Sequence, residues 1–416
     1  MSERERKLLT GNAAAAWAAR LADVDYIPAF PITPQTEIIE TLADWVDAGT
    51  IPARLVTLDS EHSMITAAGA AAATGVRVFT ATSSQGLLYG MEMLYTIAGW
   101  RVPLVLVNVS RGLAAPLTLE SDHNDVMAAR DCGFVQLHAA TCQEVLDLTL
   151  LAYRIAEDRR VRLPALVNLD GFYLSFTREP VELPPPEKVR EFLPAFDPAS
   201  LRFHASEPVS QAVAVLGGGP YSYFRYEAHM AALNAESVFD EASHEIAVVF
   251  GRAYDAVERY RCEDAEIVYV MIGSFSTKAK EAVDSLREHG QAVGLVRPRL
   301  LRPFPTRALR DALCGTRAAI IIDQNLSLGS GGVLHTEIAS ALYGQAQAPM
   351  LLSFVGGLGG RDISHAELVE MVTVARDALD KGEPPPPRLL YTRQELKELR
   401  KLQVIAQVQR EEEATG

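Results

Sequence analysis

Val102-Pro-Leu-Val-Leu-Val-Asn108, closed by Val109-Ser110-Arg111-Gly112, is a short apolar run in which polar and apolar residues do not alternate. A run of that length reads as a strand rather than a helix, and one without a polar face reads as a strand covered on both sides. Neighbouring segments repeat the theme. Residues 26–30 and 76–82 read as further short strands and Ala165 to Leu169 as another, with helices over residues 12–22, 35–46 and 86–98. Apolar strands alternating with helices predict a parallel sheet with helices on both faces. Such sheets bind ligands at the carboxyl ends of their strands. Unusual polar residues gather there: Pro31-Ile-Thr33-Pro34 after the first strand, Thr82-Ser83-Ser84-Gln85-Gly86 after the second, and Ser110-Arg111-Gly112 after the third.

Between the first two strands lies Leu58-Asp-Ser-Glu61-His-Ser-Met-Ile-Thr-Ala-Ala-Gly69-Ala-Ala-Ala-Ala-Thr-Gly75, one carboxylate at the head of a helix of small residues. Such a helix leaves room for a flat ligand or a neighbouring backbone, and its apolar surroundings desolvate the carboxylate. Complementing the positive end of the helix dipole is a sufficient structural role for Glu61. A thiamine diphosphate enzyme needs a glutamate of this kind to hydrogen-bond N1′ of the aminopyrimidine. Arg111, directly after an apolar strand, can meet a carboxylate with two parallel hydrogen bonds or stand solvated on a loop. Thr33-Pro34 is a helix start signal, with Thr33 as N-cap and Pro34 at the first helical position. Asp122-His123-Asn124-Asp125 reads as a turn and helix cap in preference to a set of metal ligands. Gly329-Ser-Gly-Gly332 and Gly356-Gly-Leu-Gly-Gly360 match no nucleotide-binding pattern and read as tight turns or interface loops.

The chain has 416 residues, 48% of them hydrophobic, enough for two α/β cores. A net charge of -14 gives no electrostatic case for nucleic acid. The charged start is not followed by an apolar signal core, and no apolar run approaches the roughly 18 residues of a membrane span, so a soluble, cytoplasmic protein is expected. Cys132, Cys142, Cys262 and Cys314 lie far apart and form no C-x-x-C pair, which argues against zinc or an iron–sulfur cluster held by this chain alone. Buried free thiols are the default reading.

From Glu182 to about Ser243, with Pro184-Pro-Pro186 and Gly217-Gly-Gly219, the texture reads as a long wrapping connection. A second α/β unit begins near Ala247, with strands at Glu266–Ile272, Ala292–Val296, Ala318–Asp323 and Met350–Val355 and a helix from Ala279 to His289. The expected domains are thus 1–245, 246–383 and a charged helical arm over 384–416, a surface helix or a partner-binding element.

Phe30-Pro-Ile-Thr-Pro34, Ser60-Glu-His62, Thr82-Ser-Ser-Gln-Gly86, Ser110-Arg111, Asp122-His-Asn-Asp125 and Leu169-Asp-Gly-Phe172 occur in the order seen in α subunits of the 2-oxoacid:ferredoxin (acceptor) oxidoreductases. Ile272-Gly-Ser274, Leu301-Arg-Pro-Phe-Pro305, Ser327-Leu-Gly-Ser-Gly-Gly332 and Gly356-Gly-Leu-Gly-Gly-Arg-Asp362 resemble the family's second domain. The similarity covers about residues 8–393. It implies a thiamine diphosphate-binding, pyrimidine-type parallel-sheet domain followed by a transketolase C-terminal-like α/β domain.

By that resemblance, Glu61 is the aminopyrimidine glutamate, Thr33 and Arg111 bind the substrate carboxylate, Ser83 and Ser84 line the cofactor site, and Asp122 and His123 close the substrate pocket. The implied reaction is oxidative decarboxylation of a 2-oxoacid with coenzyme A in anaerobic metabolism, on pyruvate or on an aryl 2-oxoacid as in phenylglyoxylate dehydrogenase. Gly112 is read as making room beside Arg111 for a bulkier substrate. The sequence has no Gly-Asp-Gly motif for Mg²⁺ and diphosphate. A β subunit is expected to supply it, with γ and δ ferredoxin-like subunits carrying iron–sulfur clusters. Electrons would pass to ferredoxin or, through a subunit holding FAD, to NAD. Two alternatives are a non-catalytic scaffold subunit of such a complex and a thiamine-dependent 2-oxoacid decarboxylase without redox chemistry.

Overall fold

The computed structural model describes residues 5–198, 202–210 and 214–415. Its first sheet runs in the order Leu300–Arg302, Val135–His138, Ala165–Asp170, Val105–Ser110, Phe79–Thr82. All neighbours are parallel except the first pair, which is antiparallel. A parallel pair, Tyr26–Ala29 with Arg54–Thr57, extends the sheet through a bridge between Tyr26 and Val78. Every residue of Val105–Ser110 is buried. Side chains alternate across a strand, so Val105, Val107 and Val109 pack into one core with helices Gly11–Leu21, Cys142–Ala156 and Gly218–Phe250. Leu104 and Leu106 face a second core with helices Glu61–Ala73 and Met91–Trp100.

The small residues of the Glu61 helix do admit a close neighbour, and it is protein. A Cβ on Gly69 would collide with Ile97 of the helix Met91–Trp100. The single helix expected over 86–98 is two, Ser84–Tyr89 and Met91–Trp100, joined at Gly90, whose Cα abuts Ile65. Strands Arg54–Thr57 and Val135–His138, helix Cys142–Ala156 and the antiparallel pair Glu5–Thr10 with Arg178–Leu183 were not anticipated. The stretch from Glu182 also differs from a bare connection. It holds helix Pro186–Phe192 and the 33-residue helix Gly218–Phe250, which crosses the boundary expected at 245 and buries Ala235, Val238, Phe239, Ala242 and Ile246.

The second sheet has the order Arg388–Leu389, Met350–Val355, Ala318–Asp323, Ile267–Val270, Val293–Pro298, Val257–Tyr260, parallel except for the last strand. Helices Ser276–Glu288 and His365–Lys381 cover one face; Thr306–Leu313 and Val333–Leu342 cover the other. The helix Arg393–Thr415 follows, its first turn held by Arg361, which pairs with Glu395 at 2.8 Å. No described helix is long and apolar enough to cross a membrane.

A buried ionic cluster ties the two sheets. Arg297 on the second places two nitrogens on the carboxylate of Glu144, in the helix Cys142–Ala156 that packs on the first, at 2.6 and 2.9 Å, and a third on Glu258 at 2.6 Å. Arg299 adds a bond to Glu144 at 3.0 Å. Burial by itself pushes Glu144 up, but Arg297 and Arg299 together outweigh it and hold the carboxyl down at about 2. A carboxyl lowered on folding stabilises the fold above its unfolded value of 4.5, and that stability is lost as pH falls from there towards 2. Removing one partner leaves the other charge buried and unpaired, so Arg297→Met is expected to destabilise the chain by about 3–5 kcal/mol. Thermal midpoints at pH 7 and pH 3.5 check both points: the variant melts well below the parent at pH 7, and the gap narrows in acid.

Candidate active site

The parallel strands bring their carboxyl ends to one edge, and the polar loops follow from it. The strand Phe79–Thr82 delivers Ser83, Ser84, Gln85 and Gly86; the strand Val105–Ser110 delivers Arg111. Glu61 is the first residue of its helix, behind Ser60, whose hydroxyl accepts from the Ser63 N–H at 3.2 Å. The Glu61 carboxylate is recessed, 8% exposed, and has no hydrogen-bond donor among the described residues. It lies against the backbone of Gly86: a Cβ there would stand 2.7 Å from Glu61 Oε1 and 2.5 Å from the Thr82 hydroxyl oxygen. A side chain at 86 would have to push the Glu61 carboxylate and the Thr82 hydroxyl aside, because they occupy its space. The Thr82 hydroxyl is itself buried without a partner among the described residues.

Arg111 is equally recessed, at 7% exposure. Its hydrogen bond within the described chain is a long one, from Nη2 to Gln85 Oε1 at 3.3 Å, and its Nε is buried unpartnered. Burial pulls the guanidinium below the usual arginine range, against the favourable charges of Asp125 and Glu61. Asp125 sits behind, fully buried, and accepts from the Ser84 N–H at 3.0 Å, Asn108 Nδ2 at 3.0 Å, the Ser110 hydroxyl at 2.5 Å and the Val126 N–H at 2.7 Å. These bonds fix Ser84 with a φ of 47°, a conformation few side chains adopt. The Ser83 hydroxyl donates to the Val109 carbonyl at 2.7 Å, and that of Ser84 lies within reach of Gly112 O and Gln85 Oε1. Both serines therefore hold the loop.

Thr33 stands exposed on the loop Phe30–Gln35. It does not cap a helix. Its peptide bond to Pro34 is cis, and the helix starts at Thr36 behind Gln35, with no side-chain cap. Asn12 Nδ2 holds the Pro34 carbonyl at 2.9 Å and Gln35 Nε2 holds that of Phe30 at 2.8 Å. Pro34 packs on Gly171, whose Cα also abuts the Ser110 carbonyl, so the Thr33 loop lies next to the strand that ends in Arg111.

Asp122 and His123 reach toward the second sheet. His123 Nε2 pairs with Asp170 Oδ1 at 2.6 Å, fully buried, and the His123 N–H donates to Gln324 O at 2.8 Å. Asp122 accepts from the N–H groups of Asn124 at 3.0 Å and Gly359 at 3.3 Å. Both residues belong to the seam between the sheets, and Asp122 also adjoins the Arg111 loop: its carbonyl accepts from the Ser110 hydroxyl at 2.7 Å and its carboxylate lies beside Gly112. The glycine run 356–360 is part of that seam, since the Gly360 N–H donates to Ser121 O at 2.7 Å. Gly112 leaves no open space either: a Cβ there would meet the Thr118 methyl.

Sequence reasoning gave no individual role to Gln85, Gly86, Asn108 or Asp170, and read Asp125 only as part of the Asp122–Asp125 loop. A polar residue inside an otherwise apolar buried strand, as Asn108 and Asp170 are, was the available signal, because such groups persist only with dedicated partners. Among the described residues no cluster of three His, Cys, Asp or Glu is arranged to hold a metal ion. The four cysteines are free, and burial pushes the Cys132 thiol up to about 12.

The family described as pyruvate flavodoxin/ferredoxin oxidoreductase, thiamine diphosphate-binding, matches residues 17–244, and pyruvate:ferredoxin oxidoreductase core domain II matches residues 265–368. The chain belongs to the family of 2-oxoacid:ferredoxin oxidoreductase α subunits. It is 41% identical over 378 residues to pyruvate synthase subunit PorA of Pyrococcus abyssi, covering 91% of this chain and 95% of that one. It is 38% identical over 379 residues to ketoisovalerate oxidoreductase subunit VorA of Pyrococcus horikoshii, with the same coverage. Its fold is that of a 2-oxoglutarate:ferredoxin oxidoreductase from Magnetococcus marinus, with a TM-score of 0.68 at 18% identity over 90% of this chain and 66% of that chain.

A methyl group at 86 would displace the Glu61 carboxylate from its seat. Gly86→Ala is expected to lower 2-oxoacid-dependent viologen reduction by the assembled complex by roughly a hundredfold, while circular dichroism of the purified chain stays that of the parent.

Proposed function

We propose that this chain is the α subunit of a multisubunit, thiamine diphosphate-dependent 2-oxoacid oxidoreductase that forms acyl-coenzyme A. The observation that carries the proposal is the presence in one site of Glu61, a recessed carboxylate without a donor among the described residues, and Arg111, a recessed guanidinium with one long bond among them. The first needs a donor and the second an acceptor. An aminopyrimidine N1′ suits Glu61, and a substrate carboxylate suits Arg111 through two parallel hydrogen bonds.

Thiamine diphosphate, when bound, supplies the carbanion chemistry that decarboxylates a 2-oxoacid. The chain's own residues do the rest. Glu61 holds a proton at N1′, Gly86 gives the ring edge access to that carboxylate, and Arg111 fixes the substrate carboxylate before it leaves as CO₂. Thr33, on the adjoining loop, is assigned as a further substrate contact. In the overall reaction the 2-oxoacid loses CO₂ and two electrons, its acyl group passes to the coenzyme A sulfur, and the thiol proton is released. The electrons go to iron–sulfur clusters on γ and δ partners and then to ferredoxin, or to NAD through a flavin subunit. A β subunit with a Gly-Asp-Gly motif would hold Mg²⁺ and the diphosphate.

For substrate we infer a small aliphatic 2-oxoacid, pyruvate ahead of 2-oxoisovalerate. The kinship with a pyruvate synthase subunit and a ketoisovalerate oxidoreductase subunit supports it. An aryl 2-oxoacid such as phenylglyoxylate loses the support of Gly112, whose side is filled by Thr118.

The test is viologen reduction by the natively purified complex with coenzyme A and pyruvate, 2-oxoisovalerate or phenylglyoxylate. Turnover with pyruvate is expected, and none from this chain alone. Glu61→Ala is expected to remove several powers of ten of rate, and Arg111→Ala mainly to raise KM. A complex that contains thiamine diphosphate yet reduces nothing would favour the scaffold reading; turnover without iron or acid-labile sulfide would favour a non-redox decarboxylase.

A further inference from the structure

Gln85 stands between two groups already described. Its Oε1 accepts from Arg111 Nη2 at 3.3 Å and lies 2.8 Å from the Ser84 hydroxyl. A guanidinium only donates, so the oxygen of the carboxamide, not its nitrogen, must face Arg111. That orientation leaves Nε2 with two N–H groups, and this nitrogen is buried with no partner among the described residues. Arg111 Nε is in the same condition. Two adjacent residues thus each carry a buried donor that nothing accepts from, which costs free energy until an acceptor arrives. The backbone behind Gln85 is fixed, because the Ser84 N–H is bonded to fully buried Asp125, itself anchored on Asn108 and Ser110. The next residue, Gly86, touches Glu61. The carboxamide therefore sits on a rigid loop beside both members of the proposed site, and it adds donors there without adding charge next to Glu61.

We propose that Gln85 is a substrate-positioning residue: its oxygen holds the Arg111 guanidinium in place, and its free N–H is a second donor to the carboxylate of a 2-oxoacid. This rests on the reading of Arg111 as the carboxylate site. A carboxylate has two acceptor oxygens, one for each of the two orphaned donors. Neither Gln85 donor touches the reacting bonds, so its loss falls on substrate affinity before it falls on turnover.

The experiment compares Gln85→Leu, Gln85→Glu and Arg111→Ala in the holo-complex with its partner subunits, assayed by viologen reduction with pyruvate and with 2-oxoisovalerate. Thiamine diphosphate content and the thermal midpoint are measured on each variant. Gln85→Leu is expected to raise KM roughly ten- to a hundredfold, with a smaller change in kcat and parental cofactor content. Gln85→Glu, nearly isosteric, turns the contact with Arg111 into an ion pair and opposes an incoming carboxylate, so its KM rises at least as far. If Gln85→Leu fails to assemble, Gln85→Glu alone decides. Arg111→Ala raising KM while both Gln85 variants stay within twofold of the parent would overturn the role of Gln85 and leave the carboxylate site standing. An unchanged KM in Arg111→Ala would remove the carboxylate site and this inference with it. A fall in kcat or in cofactor content without a rise in KM would also overturn it.

Discussion

The Asp170 carboxylate is the point on which the two sheets depend. It ends a buried strand of the first, is wholly enclosed, and reaches the second through the backbone N–H of Ser274 at 2.6 Å and the Ser274 hydroxyl at 2.5 Å. His123 and Ser121 bond its other oxygen. Burial disfavours its charge, yet His123 and Ser274 hold it at about 2. The same contact draws His123 upward, while the neighbouring ring of His138, against which it packs edge-on, is pushed down to about 3 by burial and by His123. Gly273, with a φ of 75°, has no side chain because one would strike Asp170 and His123. A charge kept in a dry seam fixes register strictly, since any slip leaves it unpaired.

That seam sets the floor of the candidate site. The segment from Ser121 to Asp125 is clamped from one side by Asp170, Gln324 and Gly359, and from the other it presents Asp125 to Ser84 and Asn108. Arg111 and Gln85 therefore stand on a loop system braced by both sheets. Pre-organisation of this kind lets a recessed guanidinium remain short of partners without collapsing onto the nearest carboxylate.

The strands were legible because burial on both faces leaves a plain apolar run, as in Val105–Ser110, Ala318–Asp323 and Met350–Val355. The helix Cys142–Ala156 was not. It is buried almost all round, and its Glu144, Asp147 and Thr149 read as a solvent-facing set in the sequence although they are paired inside. Val135–His138 hid for a similar reason, with Gln136 and His138 among its four residues. Glu61 and Arg111 announced themselves by position, at a helix head and a strand end. Gln85, Asp125 and the true surroundings of His123 depend on contacts between segments distant in sequence, and local spacing carries no trace of them. The Thr33 signal misled because a Thr-Pro pair suits a cap and an extended loop equally.

The strand Leu300–Arg302 departs from its own sheet and pairs with Val135–His138 of the other, Leu300 opposite Leu137. It seals the margin of the first sheet. A fragment ending near residue 245 would carry an open strand margin with unpaired amide and carbonyl groups, the kind of template on which chains stick to one another. Splitting this polypeptide into its halves would thus produce not two smaller proteins but one adhesive fragment and one that has lost its dock, and the length of chain that folds by itself runs past Arg302.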